Sequence, residues 1–250
     1  MKDFLLTGNV RIFGEMESRP VYRAAERFYR DVKKTLEAGT AGVSRIYFDC
    51  SHCMEEEAWE IRVSESDIQI HTSSDLGLVY AFHYLSEKYL GIRPFWFWLD
   101  QKIGMKKTVS IPVGTYRSRR AAVSYRGWFI NDETFLGRWN PGDDEAYAWE
   151  MAFEALLRCG GNMVIPGGLE NFDKYCTLAS DMGLKLTHHH VEPLGAEMFS
   201  SAYPNLQPSY RMYPELYEAL WQRAIEKRKG QQAVWAVGFR GQGDCPYWES

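Results

Sequence analysis

DDEAYAWEMAFEALLRCGGNMVIP, residues 143–166, decides how the second half of the chain is read. Its acids come first and Gly160-Gly161 stop it, the order that a helix and its dipole favour. The short apolar run that follows, Asn162 to Pro166, reads as a strand. A helix joined to a strand by so short a connection is the repeating unit of an α/β array.

Working outward, the same alternation continues. SYRGWFI (124–130) predicts a buried strand that ends at Asn131-Asp132-Glu133. NFDKYCTLASDMGL (171–184) predicts a helix and KLTHHHVEP (185–193) the next strand. YPELYEALWQRAIEKRKG (213–230) is a helix with acids early and bases late, and QAVWAVGFRGQGD (232–244) is a fourth strand. The order β-α-β-α-β-α-β with short connections predicts parallel strands.

The first half has another style. VYRAAERFYRDVKKTLEA (21–38) repeats apolar residues at helical spacing until Gly39, and VSRIYFD (43–49) reads as a strand. WEIRVSESDIQIHTS (59–73) alternates around Ser64–Asp67 as a hairpin would. DLGLVYAFHYLSEKYLG (75–91) predicts a helix closed by Gly91, and PFWFWLD (94–100) a short aromatic strand. The expectation is an α+β layer of order β-α-β-β-α-β, with helices on one face of a sheet, over residues 1–115. Pro112, Gly114 and the basic run Arg117 to Arg120 make a linker-like stretch, and a second region covers 123–250.

Composition narrows the function classes. Charged residues are 25% and the net charge is −4, so no basic footprint points to nucleic acid. No stretch is long and apolar enough to span a membrane, and the start, MKDFLLTGNVRIFGEM, has no signal-type core or cleavage site. Five cysteines, an odd count, together with that start, predict a reducing, cytoplasmic setting. Cys50 and Cys53 form a lone CxxC without a second pair to complete the roughly four ligands of a zinc site, so they read as structural thiols. Aromatic residues reach 15%, which suits either a large core or the apolar faces of sugars.

Three of the four strands in the second half end in charged or imidazole groups: Asn131-Asp132-Glu133, then His188 to Glu192, then Arg240 to Asp244. Parallel α/β arrays bind ligands at that edge. The second strand ends in Pro166-Gly167-Gly168, which offers backbone groups or a tight turn. Successive strand residues face opposite ways, so His188 and His190 share a face and His189 points to the other. Hydrogen bonding to sugar hydroxyls or to neighbouring carboxylates ranks first for these imidazoles, a structural role second, and a metal site of His188, His190 and Glu192 third. For any single one of Asp132, Glu133, Glu192 and Asp244 a capping or salt-bridge role is the default, but together they offer the paired carboxylates that glycoside hydrolysis needs. Arg240 suits either a simple ion pair with Asp244 or bidentate capture of a substrate carboxylate.

YRGWFINDE (125–133), LLRCGGNMVIP (156–166), THHHVEP (187–193) and GFRGQGD (238–244) resemble, in order and rough spacing, segments of glycoside hydrolase family 115, the xylan α-1,2-glucuronidases. DLGLVYAFHYLSEKYLGIRPFWFW (75–98) is similar to the domain that precedes the barrel in that family. The resemblance implies a small α+β domain followed by the first half of a TIM-type (β/α)8 barrel. It implies an inverting hydrolase, without metal or organic cofactor, that removes glucuronic or 4-O-methylglucuronic acid from acidic xylo-oligosaccharides. On that reading Asp244, Asp132 and Glu192 are the catalytic set. Asn131, Glu133, His189, His190 and Arg240 bind substrate, and Asp244 activates or positions water. Two departures stand out: Val191 interrupts the family's His-His-Glu-Pro run, and the second strand lacks the Trp common near its end. A closed barrel of eight βα units takes about 250 residues by itself. The chain is therefore expected to be the N-terminal part of a longer enzyme, its general acid lying beyond residue 250. The rival expectation is a non-catalytic binder of acidic sugars, and a homodimer is compatible with either.

Overall fold

The computed structural model describes residues 3–39, 42–131, 133–139, 144–167, 172–189 and 192–238. The chain divides into two compact units. The first comprises Met1–Arg126, Met151–Asn162 and Asp181–Gly183, and the second Gly127–Glu150, Met163–Ser180 and Leu184–Ser250.

In chain order, unit 1 begins with strands β1 (Phe4–Thr7) and β2 (Val10–Phe13), helix α1 (Arg19–Thr35) and strands β3 (Ser44–Asp49), β4 (Trp59–Val63) and β5 (Asp67–Thr72). Helix α2 (Asp75–Leu85) and a π-helical turn over Ser86–Leu90 follow, then β6 (Thr108–Ile111) and β7 (Gly114–Arg117). The main sheet has the order β2-β3-β5-β4-β7, and β1 pairs with β6. Burial alternates along β3 and β5, with Ile46, Phe48, Ile68 and Ile70 inside and Arg45, Tyr47 and Gln69 outside or half-exposed. One face therefore packs on helices and the other faces water, as an α+β layer requires. The predicted hairpin is there: Ser64 Oγ accepts from the backbone N–H groups of Ser66 and Asp67 and so fixes the β4–β5 turn. Ser74 caps α2 by accepting from the Gly77 N–H, and Gly91, at φ 78°, ends the π turn in a conformation that glycine adopts without a Cβ clash.

Two expectations change. Residues 94–100 are not a strand but consecutive turns. Their rings find partners far along the chain: Trp96 Nε1 donates to Glu154 and Trp98 Nε1 to the Met151 carbonyl, so indole hydrogen bonding sets the backbone rather than strand pairing. Gly114–Arg117, inside the linker-like stretch, forms β7 on the edge of the sheet, paired with β4.

Glu154 is the centre of one buried charge cluster in unit 1. Arg30 of α1 grips it with both terminal nitrogens, at 2.7 and 2.6 Å, and Arg158 Nε reaches it at 2.8 Å. Arg30 and Arg158 also pair with Asp31. Burial by itself would raise the Glu154 pKa, but Arg158 and Arg30 overcome it and hold the carboxyl well below the usual range.

Unit 2 carries strand β8 (Gly127–Phe129), the short helix α3 (Glu133–Arg138) and helix α4 (Tyr147–Arg158), whose later part belongs to unit 1. Strand β9 (Met163–Ile165), helix α5 (Phe172–Asp181), strand β10 (Lys185–Leu186), a 3-10 turn over Pro193–Gly195, and helices α6 (Phe199–Ala202) and α7 (Pro214–Lys227) complete it. β8, β9 and β10 are adjacent and parallel, and Leu186 makes a further parallel bridge to Ala233. The predicted parallel order is thus present over four successive segments. The third strand is shorter than expected, ending at Leu186 with one more ladder bond from Thr187 N–H to the Val164 carbonyl. Among the described residues the fourth is a single bridge, residues 239–244 of its expected span lying outside them. Helices are pinned beside it: Trp149 stacks on Tyr175 at 4.0 Å and donates to the Pro166 carbonyl, and Asp173 of α5 pairs with Lys227 and Arg228 at the end of α7.

Candidate functional site

Strand parity sorts the side chains at the ends of the parallel strands. Trp128, Val164 and Leu186 lie side by side in register, and Val164 and Leu186 are fully buried. Two residues on, His188 follows Leu186 onto that covered side. It lies near Phe172 and Trp235, with ring centroids at 6.3 and 5.3 Å. Phe129 and Ile165 face the other way, and so do Asn131 and His189 by the same period. The Phe129 and His189 rings meet at 5.1 Å, which brings the ends of the first and third strands together on that face. Asn131 is exposed.

The histidine run is therefore divided as parity predicts: His188 inward, His189 on the open face. Among the described residues neither ring nitrogen of His188 has a hydrogen-bond partner. Burial, with Arg228 adding to it, pulls its pKa down to about 4. Gly195 explains how the chain crosses so close to the ring: at φ 65°, any Cβ there would stand 2.3 Å from His188 Nδ1. Glycine is needed at this position for both space and conformation.

An uncharged, buried His188 makes stability depend on acid. The unfolded imidazole binds its proton near the ordinary 6.5 and the folded one only near 4, so stability is intact above that window and falls as pH drops through it. We expect His188→Phe, which keeps an aromatic ring there, to lose less stability than the parent between neutral pH and about 4.5. Urea unfolding at the two pH values measures it, and equal losses in both proteins would show that His188 is not the titrating group.

Glu192 precedes the Pro193–Gly195 turn and is buried, near enough to Tyr217 of α7 to help burial raise the phenol's pKa. Glu133 begins α3. Asp132, His190, Arg240 and Asp244, which complete the sequence-derived set, lie outside the described residues. Among the described residues no three His, Cys, Asp or Glu side chains are grouped to hold a metal ion. Of the trio His188, His190 and Glu192, the two described members are both buried. The sequence reading missed Phe129, Tyr217 and Gly195. Period-2 alternation in SYRGWFI already places Phe129 and Asn131 on one face, whereas the packing of Tyr217 and Gly195 leaves no local signal. Among the described residues no helix is long and apolar enough to cross a membrane.

Comparison with known proteins adds to this geometry. The model of a family described as Glycosyl hydrolase family 115 matches residues 118–250. A solved structure described as a family GH115 4-O-methyl-α-glucuronidase, BtGH115A, with specificity for decorated arabinogalactans, is similar over 99% of this chain and 38% of its own. The TM-score is 0.81 and the identity 21%. A chitobiase from Flavobacterium johnsoniae is similar over 86% of this chain and 35% of its own, at TM-score 0.52 and 17% identity. A mutant β-hexosaminidase from Streptomyces plicatus is similar over 75% and 42%, at TM-score 0.52 and 10% identity. At these identities the structural likenesses speak to fold. No curated protein matches the chain.

Proposed function

The chain belongs to glycosyl hydrolase family 115, and from that premise we propose that it forms the N-terminal part of a glycosidase that releases glucuronic acid or its 4-O-methyl ether from glycan side chains. The observation that carries this reading is the coincidence of the family match with the parallel strands of unit 2, at whose ends Phe129 and His189 meet. We read β8, β9, β10 and the segment at Ala233 as the first half of a (β/α)8 barrel, since four parallel neighbours in chain order with intervening helices are the start of one. The chain spans 38% of the length of BtGH115A, so the remaining strands and the general acid are assigned to sequence beyond residue 250.

In this mechanism the uronate carboxylate is held by Arg240, for which a guanidinium's paired N–H groups are suited. Asn131 and His189, on the open face, donate to sugar hydroxyls, and His190 and Glu133 complete the contacts. Asp244, with Asp132 and Glu192 as the other carboxylates, activates a water opposite the leaving group. Inversion requires a separation of roughly 6.5–9.5 Å between acid and base. No cofactor takes part.

The test is an assay of the full-length protein on two substrates, an aldouronic xylo-oligosaccharide and a glucuronate-capped arabinogalactan oligosaccharide, followed by NMR from the first minutes. Uronic acid released as the β-anomer from the xylo-oligosaccharide is the expected result. Release from the arabinogalactan alone would move the substrate to that glycan, first appearance of the α-anomer would replace inversion by retention, and no release from either would end the proposal.

A further inference from the structure

Unit 1 contains a cavity of about 440 Å³ that the proposed hydrolytic site does not use. Its volume is in the range of small-molecule pockets, roughly 300–1,000 Å³. The lining is not that of an apolar pocket: Tyr80, His83, Tyr84, Arg126 and Arg158 are among its residues, with Glu57 beside them.

The buried and half-buried charges in this lining are paired, and Glu56, Glu87 and Arg119 at its edge are exposed. Arg126 pairs with Glu57, which also accepts from Asn162 Nδ2 at 2.6 Å. Arg158 is engaged by Asp31 and Glu154, and Arg120 at the edge stands 3.6 Å from Glu55. Among the described residues of this lining no buried charge lacks an opposite one. Hydrogen-bonding capacity is left over: among the described residues His83 Nε2 and Arg158 Nη1 are buried without a partner. Such groups are costly when unmet and are met by water or by a hydroxylated guest. Burial keeps His83 uncharged, its pKa well below the ordinary value, so its ring suits a neutral hydroxyl. Tyr84, half-buried and packed on Trp59 at 4.7 Å between centroids, adds an aromatic wall.

A lining with many donors and acceptors, balanced charge and an aromatic wall excludes a strongly ionic guest and an oily one. We propose that this cavity is a binding site for a neutral, hydroxyl-rich saccharide unit. The proposal rests on unit 1 alone and is independent of the hydrolytic reading of unit 2.

Xylotriose and galactotriose are the probes, titrated into the purified chain by calorimetry and NMR. Ala121 is exposed and lines the cavity, so Ala121→Trp obstructs it without entering the core, and Ala121→Arg serves as a second obstruction. The expected result is saturable binding of at least one sugar with Kd near the millimolar range, weakened about tenfold or more by whichever obstructing variant keeps the parent's melting temperature. No binding of either sugar into the tens of millimolar, or binding that the obstructed variants retain in full, would overturn the proposal.

Discussion

Glu154→Ala is expected to destabilise the protein by about 3–5 kcal/mol, the usual consequence of removing one partner from a buried ion pair. Glu154 and Arg158 have side chains only 1% and 2% exposed, and Trp96 Nε1 donates to the same carboxylate oxygen at 2.9 Å. The substitution would leave two guanidinium groups facing Asp31 alone and an indole N–H without its acceptor. Net worth is a separate question, because a well-packed apolar replacement of the whole cluster can match an ion pair. Glu154→Gln separates the two ideas: it keeps the shape and one acceptor but not the charge, and its loss should fall between parent and Glu154→Ala. Urea and thermal unfolding read the effect, about 2–4 °C of melting temperature per kcal/mol for a chain of this size. A loss below about 1 kcal/mol for Glu154→Ala would mean that water reaches the guanidinium groups and that the cluster is not dry. The pH dependence follows the lowered pKa. The carboxylate's contribution is complete above the ordinary carboxyl pKa and is lost only as pH falls through the lower folded value.

That cluster also shows what the sequence could and could not reveal. Helix α1 is legible from its apolar spacing, α2 and α4 from their glycine stops and α7 from acids early and bases late, and the β4–β5 hairpin because Ser64–Asp67 is turn chemistry between alternating runs. The parallel order of unit 2 followed from short connections. PFWFWLD was misread because its composition is that of a strand, while Trp96 and Trp98 are fixed by Glu154 and Met151, more than fifty residues away. β7 was hidden in a basic stretch, its Arg117 turned to Glu60 on the neighbouring strand. At the candidate site, alternation correctly separated His188 from His189. It could not say that His188 is enclosed by Phe172, Trp235 and Gly195, since those contacts join segments distant in the chain.

The sharpest functional expectation concerns Asp244. In the full-length protein, Asp244→Asn should lower kcat for uronate release by about 10²–10⁴-fold, the range that a positioned acid or base contributes. The reasoning is chemical. An inverting displacement needs an acceptor for the proton of the attacking water, and a carboxylate can take it where an amide cannot. The amide keeps the size and one carbonyl acceptor, so substrate affinity should change little and the loss should appear in kcat rather than in KM. Arg240→Lys provides the contrast, because it preserves charge but not the paired geometry that holds a carboxylate, and its effect should include a raised KM. Activity of Asp244→Asn within a few-fold of the parent would assign water activation to another group, with Asp132 the next to replace. A collapse of kcat with unchanged melting temperature would assign the reaction to Asp244, in the segment that follows the parallel bridge at Ala233.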